Sequence, residues 1–175
     1  MLLVSLLISA SLVGCISDEE TSVIIDAESL VEVDNPCFQG STAISQSIIE
    51  IIVNSESRLF RLSAPSSAAG VELPLIIAFH GGGGAAEDFQ QQSEFDQLAE
   101  EEKFIMAYAI AQDDRTASEG EWYLNTAATS RDDNDFSEAI VDELSKSYCI
   151  DQDRLYAIGY SLGSMFTYEI ACQLN

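Results

Sequence analysis

Gly159-Tyr160-Ser161-Leu162-Gly163 reads G-x-S-x-G. Glycines two residues to either side of a serine permit a turn so tight that the strand before it and the helix after it nearly touch, and the serine at its apex is pushed outward. Such a hydroxyl can attack an acyl carbon once a base takes its proton and amide donors receive the charge on the carbonyl oxygen. His80-Gly81-Gly82-Gly83-Gly84 supplies main chain able to come close to a reacting carbonyl. The expected oxyanion donors are the N–H groups of Gly81 or Gly82 and of Leu162, directly after the serine. No G-K-S/T sequence follows the glycines, so a phosphate cradle is the weaker reading. His80 is the sequence's only histidine. It ends an apolar run just before the glycines, a place that suits a structural role better than that of general base.

The elements around these turns alternate. Leu73 to Phe79 (LPLIIAF), Phe104 to Ile110 (FIMAYAI) and Arg154 to Gly159 (RLYAIG) are short apolar runs, expected as strands buried on both faces. Ser47 to Asn54 and Arg58 to Ser63 read as two earlier strands, ending at the turn region Ala64 to Ser67. Phe95 to Lys103 reads as an amphipathic helix. Phe136, Ile140, Leu144 and Tyr148 recur every four residues and mark one face of a second helix, with Asp133 and Asn134 placed as N-caps. Asp132 and Asp133 precede Ser161 and read as capping groups, not as a catalytic acid. Leu162 to Leu174 follows the serine as a third helix. Strands alternating with helices predict an α/β fold, a mostly parallel sheet with flanking helices. Gln112 to Asn134 is long for a loop and carries Trp122, the only tryptophan, a candidate wall of an acyl pocket or a packing residue of the core or rim.

Composition narrows the function. The 175 residues carry 7 Lys+Arg against 30 Asp+Glu, a net charge of −23. That balance excludes nucleic acid as a partner, because a basic footprint is needed to displace phosphate counterions. At 47% hydrophobic the chain has enough apolar surface to order itself. No residue pattern calls for a cofactor or a metal; the early carboxylates lack the D-x-D-x-D-G spacing of a calcium loop.

Residues 1–14 (MLLVSLLISASLVG) are uncharged and apolar, too short to span a membrane at ~20 residues but suited to an export signal. Leu12-Val13-Gly14-Cys15 resembles a bacterial lipobox, with Cys15 lipidated to become the mature N-terminus. Residues 15–36 then form an acidic tether whose carboxylates have no basic partners in the segment. The expected location is extracytoplasmic, either secreted or on the outer membrane or cell surface, with membrane contact only through the lipid on Cys15.

From Cys37 to Asn175 the sequence resembles the secreted α/β-hydrolase esterases grouped as polyhydroxybutyrate depolymerases and feruloyl esterases. The matching pieces occur in order: Arg58 to Arg61 with Pro65, Leu73 to Gly84, Gly120 to Trp122, Asp132 to Phe136, Tyr148 to Asp151 with Arg154 to Ala157, Gly159 to Phe166, and Ala171-Cys172. Departures are Gly163-Ser164 where the family often has two glycines, and Tyr108 to Ala111, which lacks a proline-aspartate. The resemblance implies an α/β-hydrolase-like fold truncated after the nucleophile helix and a serine ester hydrolase acting on feruloyl or acetyl esters of polysaccharide, or on a polyhydroxyalkanoate. It also implies a Ser…Asp…His order, and no histidine follows Ser161, so the chain is expected to be the N-terminal part of a longer esterase and inactive as it stands. A non-catalytic surface lipoprotein with a hydrolase-like half is the alternative. Cys149 lies just before the last strand and Cys172 near the end of the helix that runs back. At about 3.3 Å per strand residue and 1.5 Å per helix residue the two return to one level, so a Cys149–Cys172 disulfide is expected, as the resemblance also suggests. Cys37 then lacks a partner.

Overall fold

The computed structural model describes residues 45–66, 70–112, 122–124 and 132–173. Cys15, Cys37 and the segments read as export signal and tether lie outside them. The fold opens with a hairpin, β1 (Ser45–Val53) and β2 (Glu56–Ala64), closed by the two residues Asn54 and Ser55 at φ 52° and 71°. Two successive left-handed residues match the strands' own twist, which is why this short turn tolerates them. Three further strands, β3 (Leu73–Phe79), β4 (Ile105–Ala109) and β5 (Ile150–Gly159), run parallel to one another, while β2 pairs antiparallel with β4. The sheet order is β1-β2-β4-β3-β5.

Side-chain alternation divides the core between the two faces of this sheet. Along β4, Ile105, Ala107 and Ala109 point to one face and Met106 and Tyr108 to the other. The first face is covered by α3 (Asp132–Ser145) and α4 (Leu162–Gln173) through Phe136, Ile140, Leu144, Phe166 and Ile170. The second is covered by α1 (Ala86–Ser93) and α2 (Phe95–Glu102) through Ala86, Ala99, Phe89 and Phe95. Asp96 in α2 accepts hydrogen bonds from Tyr108 Oη at 2.8 Å and Gln90 Nε2 at 2.7 Å, fixing the α1–α2 corner on the sheet.

Three expectations need correction. Helix α1 was not anticipated, since AEDFQQQS carries a single large apolar side chain, Phe89, and lacks an apolar stripe. Strand β5 was expected to be buried on both faces, yet Leu155 and Tyr156 are 40% and 51% exposed. Among the described residues β5 pairs only with β3, which leaves its far edge uncovered. Asp133 and Asn134 were read as N-caps, but α3 already begins at Asp132 and both side chains reach elsewhere. Asn134 Nδ2 donates to Gln173 Oε1 at 2.6 Å.

Asp133 forms a buried ion pair with Arg58 of β2, Nη2 to Oδ1 at 2.9 Å, with the two side chains only 2% and 1% exposed. The guanidinium also lies 4.0 Å from the centroid of the Phe136 ring. Two ions this deep are costly to desolvate and hold only because each meets further partners. Asp133 Oδ2 accepts Tyr123 N–H at 2.8 Å, so the pair ties the 122–124 segment to α3 and the hairpin. Asp133→Ala strands the arginine charge and should lower stability by about 3–5 kcal/mol, whereas Arg58→Met with Asp133→Leu should recover most of that loss. Urea unfolding of the three variants checks the order.

Candidate active site

Strand β3 ends at Phe79, whose carbonyl accepts Tyr160 N–H at 3.2 Å and so fastens the turn after β5 to the end of β3. Ser161 sits at the apex of that turn with φ 52°, a left-handed conformation costing a non-glycine residue roughly 1–2 kcal/mol. The conformation is held from both sides. Gly163 N–H donates to Tyr160 O at 2.9 Å, and Ser161 O accepts from Ser164 N at 3.0 Å and Met165 N at 3.2 Å as α4 begins. The flanking glycines are required by backbone contact. A Cβ on Gly159 would come within 2.2 Å of Gly163 O, and one on Gly163 within 2.1 Å of Phe79 O. The result is an exposed serine at the start of a helix, as the G-x-S-x-G spacing predicts.

The glycine turn lies beside it. Gly84 N–H donates to Gly81 O at 2.9 Å across a tight turn in which Gly83 has φ 68°, an angle that favours glycine. A Cβ on Gly81 would stand 2.9 Å from Tyr160 Cδ1 and 3.3 Å from Ser161 Cβ. Thus two sequence-predicted residues far apart in the chain, Gly81 and Ser161, become direct neighbours. Gly82 is exposed on the same turn, and Leu162 is the first residue of α4, where an N–H has no acceptor within the helix. Its position at the positive end of the helix dipole favours a developing negative charge.

His80 is 1% exposed and its ring is engaged on both sides by main chain. Nδ1 lies 2.9 Å from Gly81 O and Nε2 accepts Ala111 N–H at 3.4 Å. With Nε2 accepting, Nδ1 is assigned as the donor to the glycine turn. It does not face Ser161 as a base, in keeping with the structural role expected of it.

Of the two places open to Trp122, a pocket wall or a packing position in the core or rim, it occupies a packing position. It is 3% exposed, stacked on Phe166 with ring centroids 5.5 Å apart and edge-on to Phe79 at 5.1 Å. Its indole Nε1–H donates to His80 O at 2.8 Å. An aromatic in a polar stretch signalled importance but could not distinguish a wall from a brace.

A groove of about 360 Å³ runs along the glycine turn, bounded by α1 through Asp88, Phe89 and Gln92 and by Tyr160. Sequence reasoning missed this wall because it missed α1. Among the described residues no group of three or more His, Cys, Asp or Glu side chains is arranged to hold a metal ion.

No family model matches the chain. Solved structures do match, including an S-formylglutathione hydrolase from Agrobacterium tumefaciens (TM-score 0.61, 13% identity, covering 75% of this chain and 54% of that one). The fold is that of an α/β-hydrolase. Curated sequence relatives are esterases as well. The "Putative esterase NocK" of Nocardia uniformis subsp. tsuyamanensis is 31% identical over 131 residues, 71% of this chain and 36% of its own length. The bifunctional acetylxylan esterase/xylanase XynS20E of Neocallimastix patriciarum is 29% identical over 111 residues, 63% of this chain and 15% of its own length. The chain therefore spans about a third or less of these two curated relatives.

Gly163→Ala tests the backbone contact on which the turn depends. It should cost at least about 1–3 kcal/mol, because carbonyls and not flexible side chains stand in the way. Ser164→Ala, one residue on, removes the exposed hydroxyl that donates to Ser161 O at 2.6 Å but brings no atom against backbone, and should cost less, about 0.5–1.5 kcal/mol, in the same urea titration.

Proposed function

We propose that this protein is an exported serine carboxylesterase with Ser161 as its nucleophile. The observation that carries the reading is Ser161 held at φ 52° between two glycines that admit no side chain, directly beside the Gly81 turn. In the proposed reaction Ser161 Oγ bonds to the ester carbonyl carbon as its proton passes to a general base. The carbonyl oxygen, now negative, is received by Leu162 N–H and by Gly81 or Gly82 N–H. The carbon–oxygen bond to the alcohol then breaks, the alcohol leaves with the proton, and water hydrolyses the acyl-enzyme to free acid and serine.

His80 is occupied by the main chain and cannot be that base. We propose that a base other than His80, with its own acid partner, completes the site. Without them only the oxyanion and binding contributions remain. The proposed substrates are acetyl or feruloyl esters on polysaccharide, or a polyhydroxyalkanoate. The name of the acetylxylan esterase relative supports the first. In this reading residues 1–14 direct export, Cys15 carries a lipid and residues 15–36 hold the hydrolase unit off the membrane. The engagement of His80 is also what favours the second reading, a surface lipoprotein whose hydrolase-like unit binds without turnover.

A fluorophosphonate probe separates the two. In the protein expressed from its native gene, wild type should label covalently and Ser161→Ala should not. Labelling undiminished by the substitution, or absent from wild type, would overturn the catalytic reading.

Cys149 precedes β5 and Cys172 lies in the last turn of α4. We propose that they pair with one another. Peptide mapping of the exported protein under non-reducing conditions should then release one cross-linked peptide containing both. Any other partner for either sulfur removes the proposal.

A further inference from the structure

The oxyanion turn is useful only if its amides point at the reacting carbonyl, and the Gly84 N–H to Gly81 O bond closes the turn without holding the His80–Gly81 peptide. Glycine main chain rotates more freely than any other. The restraint has to come from groups that grip the peptide units from outside. Two such grips exist. His80 Nδ1 donates to Gly81 O at 2.9 Å and restrains the Gly81–Gly82 peptide, and Trp122 Nε1–H donates to His80 O at 2.8 Å and restrains the His80–Gly81 peptide.

We propose that Trp122 is a positioning residue for catalysis, resting on the assignment of Ser161 as nucleophile and the glycine turn as its oxyanion site. In a trans peptide the C=O and N–H point in opposite directions. Holding His80 O toward the indole therefore sends Gly81 N–H to the other side of the peptide plane. Turning that peptide over would carry the N–H toward Trp122 and the first turn of α4. There the backbone is already close: a Cβ on Gly163 would meet His80 O at 2.5 Å. A turned peptide would also bury an indole N–H with no acceptor, which is why the observed orientation is retained.

Trp122 can act as a fixed point because it is itself fixed. Its ring lies flat on Phe166 of α4 (5.5 Å, 15°) and edge-on to Phe79 at the end of β3 (5.1 Å, 86°). Its neighbour Tyr123 donates its N–H to Asp133 Oδ2 at 2.8 Å, and Asp133 is locked to Arg58. One buried ring thus joins the strand that carries the glycine turn to the helix that carries Leu162. The two expected halves of the oxyanion site are referred to a common brace.

The test is the kinetics of phosphonylation by a fluorophosphonate in the protein expressed from its native gene, resolved into an inhibition constant for reversible binding and a rate constant for bond formation. Trp122→Phe keeps an aromatic ring and removes the donor. It should lower the rate constant about 10- to 100-fold, somewhat less than deleting an oxyanion donor outright, and leave the inhibition constant within about twofold. If that variant does not fold, 3-benzothienylalanine at position 122, which replaces the indole N–H with sulfur at nearly the same shape, should give the same split. An unchanged rate constant, or binding and rate falling together with the melting temperature, would overturn the proposal while leaving Ser161-dependent labelling of wild type intact. Loss of that labelling in wild type would instead remove the catalytic reading on which the proposal stands.

Discussion

Everything at this site depends on one place where three stretches of backbone meet without side chains between them. Strand β5 ends at Gly159, opposite Phe79 at the end of β3, and α4 starts back across both of them at Gly163. Would-be Cβ atoms there fall 2.1 and 2.2 Å from carbonyl oxygens, well inside any tolerable contact. Only glycine lets the helix descend so steeply. The steep descent forces Ser161 into the left-handed region, and it brings Phe166 to 4.9 Å from Phe79. The serine's position is therefore a property of the sheet and the helix packed on it. A loop would not hold it to the same tolerance.

The buried ion pair extends the same frame. With only 7 basic residues in a chain of charge −23, one arginine is committed to a site that is almost wholly shielded from water. As a source of stability this is poor use of a charge, since an apolar pair of similar volume often does as well. As a device for fixing geometry it is more effective. Arg58 comes from the hairpin and Asp133 from α3, and the second carboxylate oxygen orders the 122–124 segment that bears Trp122. A hydrophobic replacement would fill the space but could not hold the Tyr123 amide.

The strands and the serine were legible in the sequence because their signals are local. LPLIIAF became β3 with the same bounds, and G-x-S-x-G between an apolar strand and an apolar helix specified the turn around Ser161. What stayed hidden depends on partners distant in the chain. Helix α1 is held by Ala86, Phe89 and the buried Gln90 against the sheet, a contact set too sparse to show as periodicity. Asp133 looks like a cap from its neighbours, and only the arrival of Arg58 from 75 residues away makes it half of an ion pair. The burial expected of β5 assumed strands on both sides, whereas among the described residues it has one neighbour. Trp122 illustrates the limit most clearly, since a large aromatic in a polar loop has the same local sequence whether it lines a pocket or closes a core.

In the proposed reaction, the layout restricts the direction from which a base can reach Ser161. On the β3 side the glycine turn stands against it, with a Gly81 Cβ position 3.3 Å from Ser161 Cβ, and both ring nitrogens of His80 behind that turn are engaged by main chain. Below it lies α4. A base on the β3 side would have to displace the turn that is proposed to hold the oxyanion, so the two roles compete for the same space. The β5 side carries no such obstruction among the described residues: its outer edge is unpaired, and Leu155 and Tyr156 are exposed along it. Apolar side chains on an unguarded strand edge are characteristic of a surface that pairs with something. Whatever covers that edge would arrive on the open flank of Ser161, opposite the glycine turn. That is the arrangement proton transfer requires, with the base on one side of the attacked carbonyl and the oxyanion donors on the other.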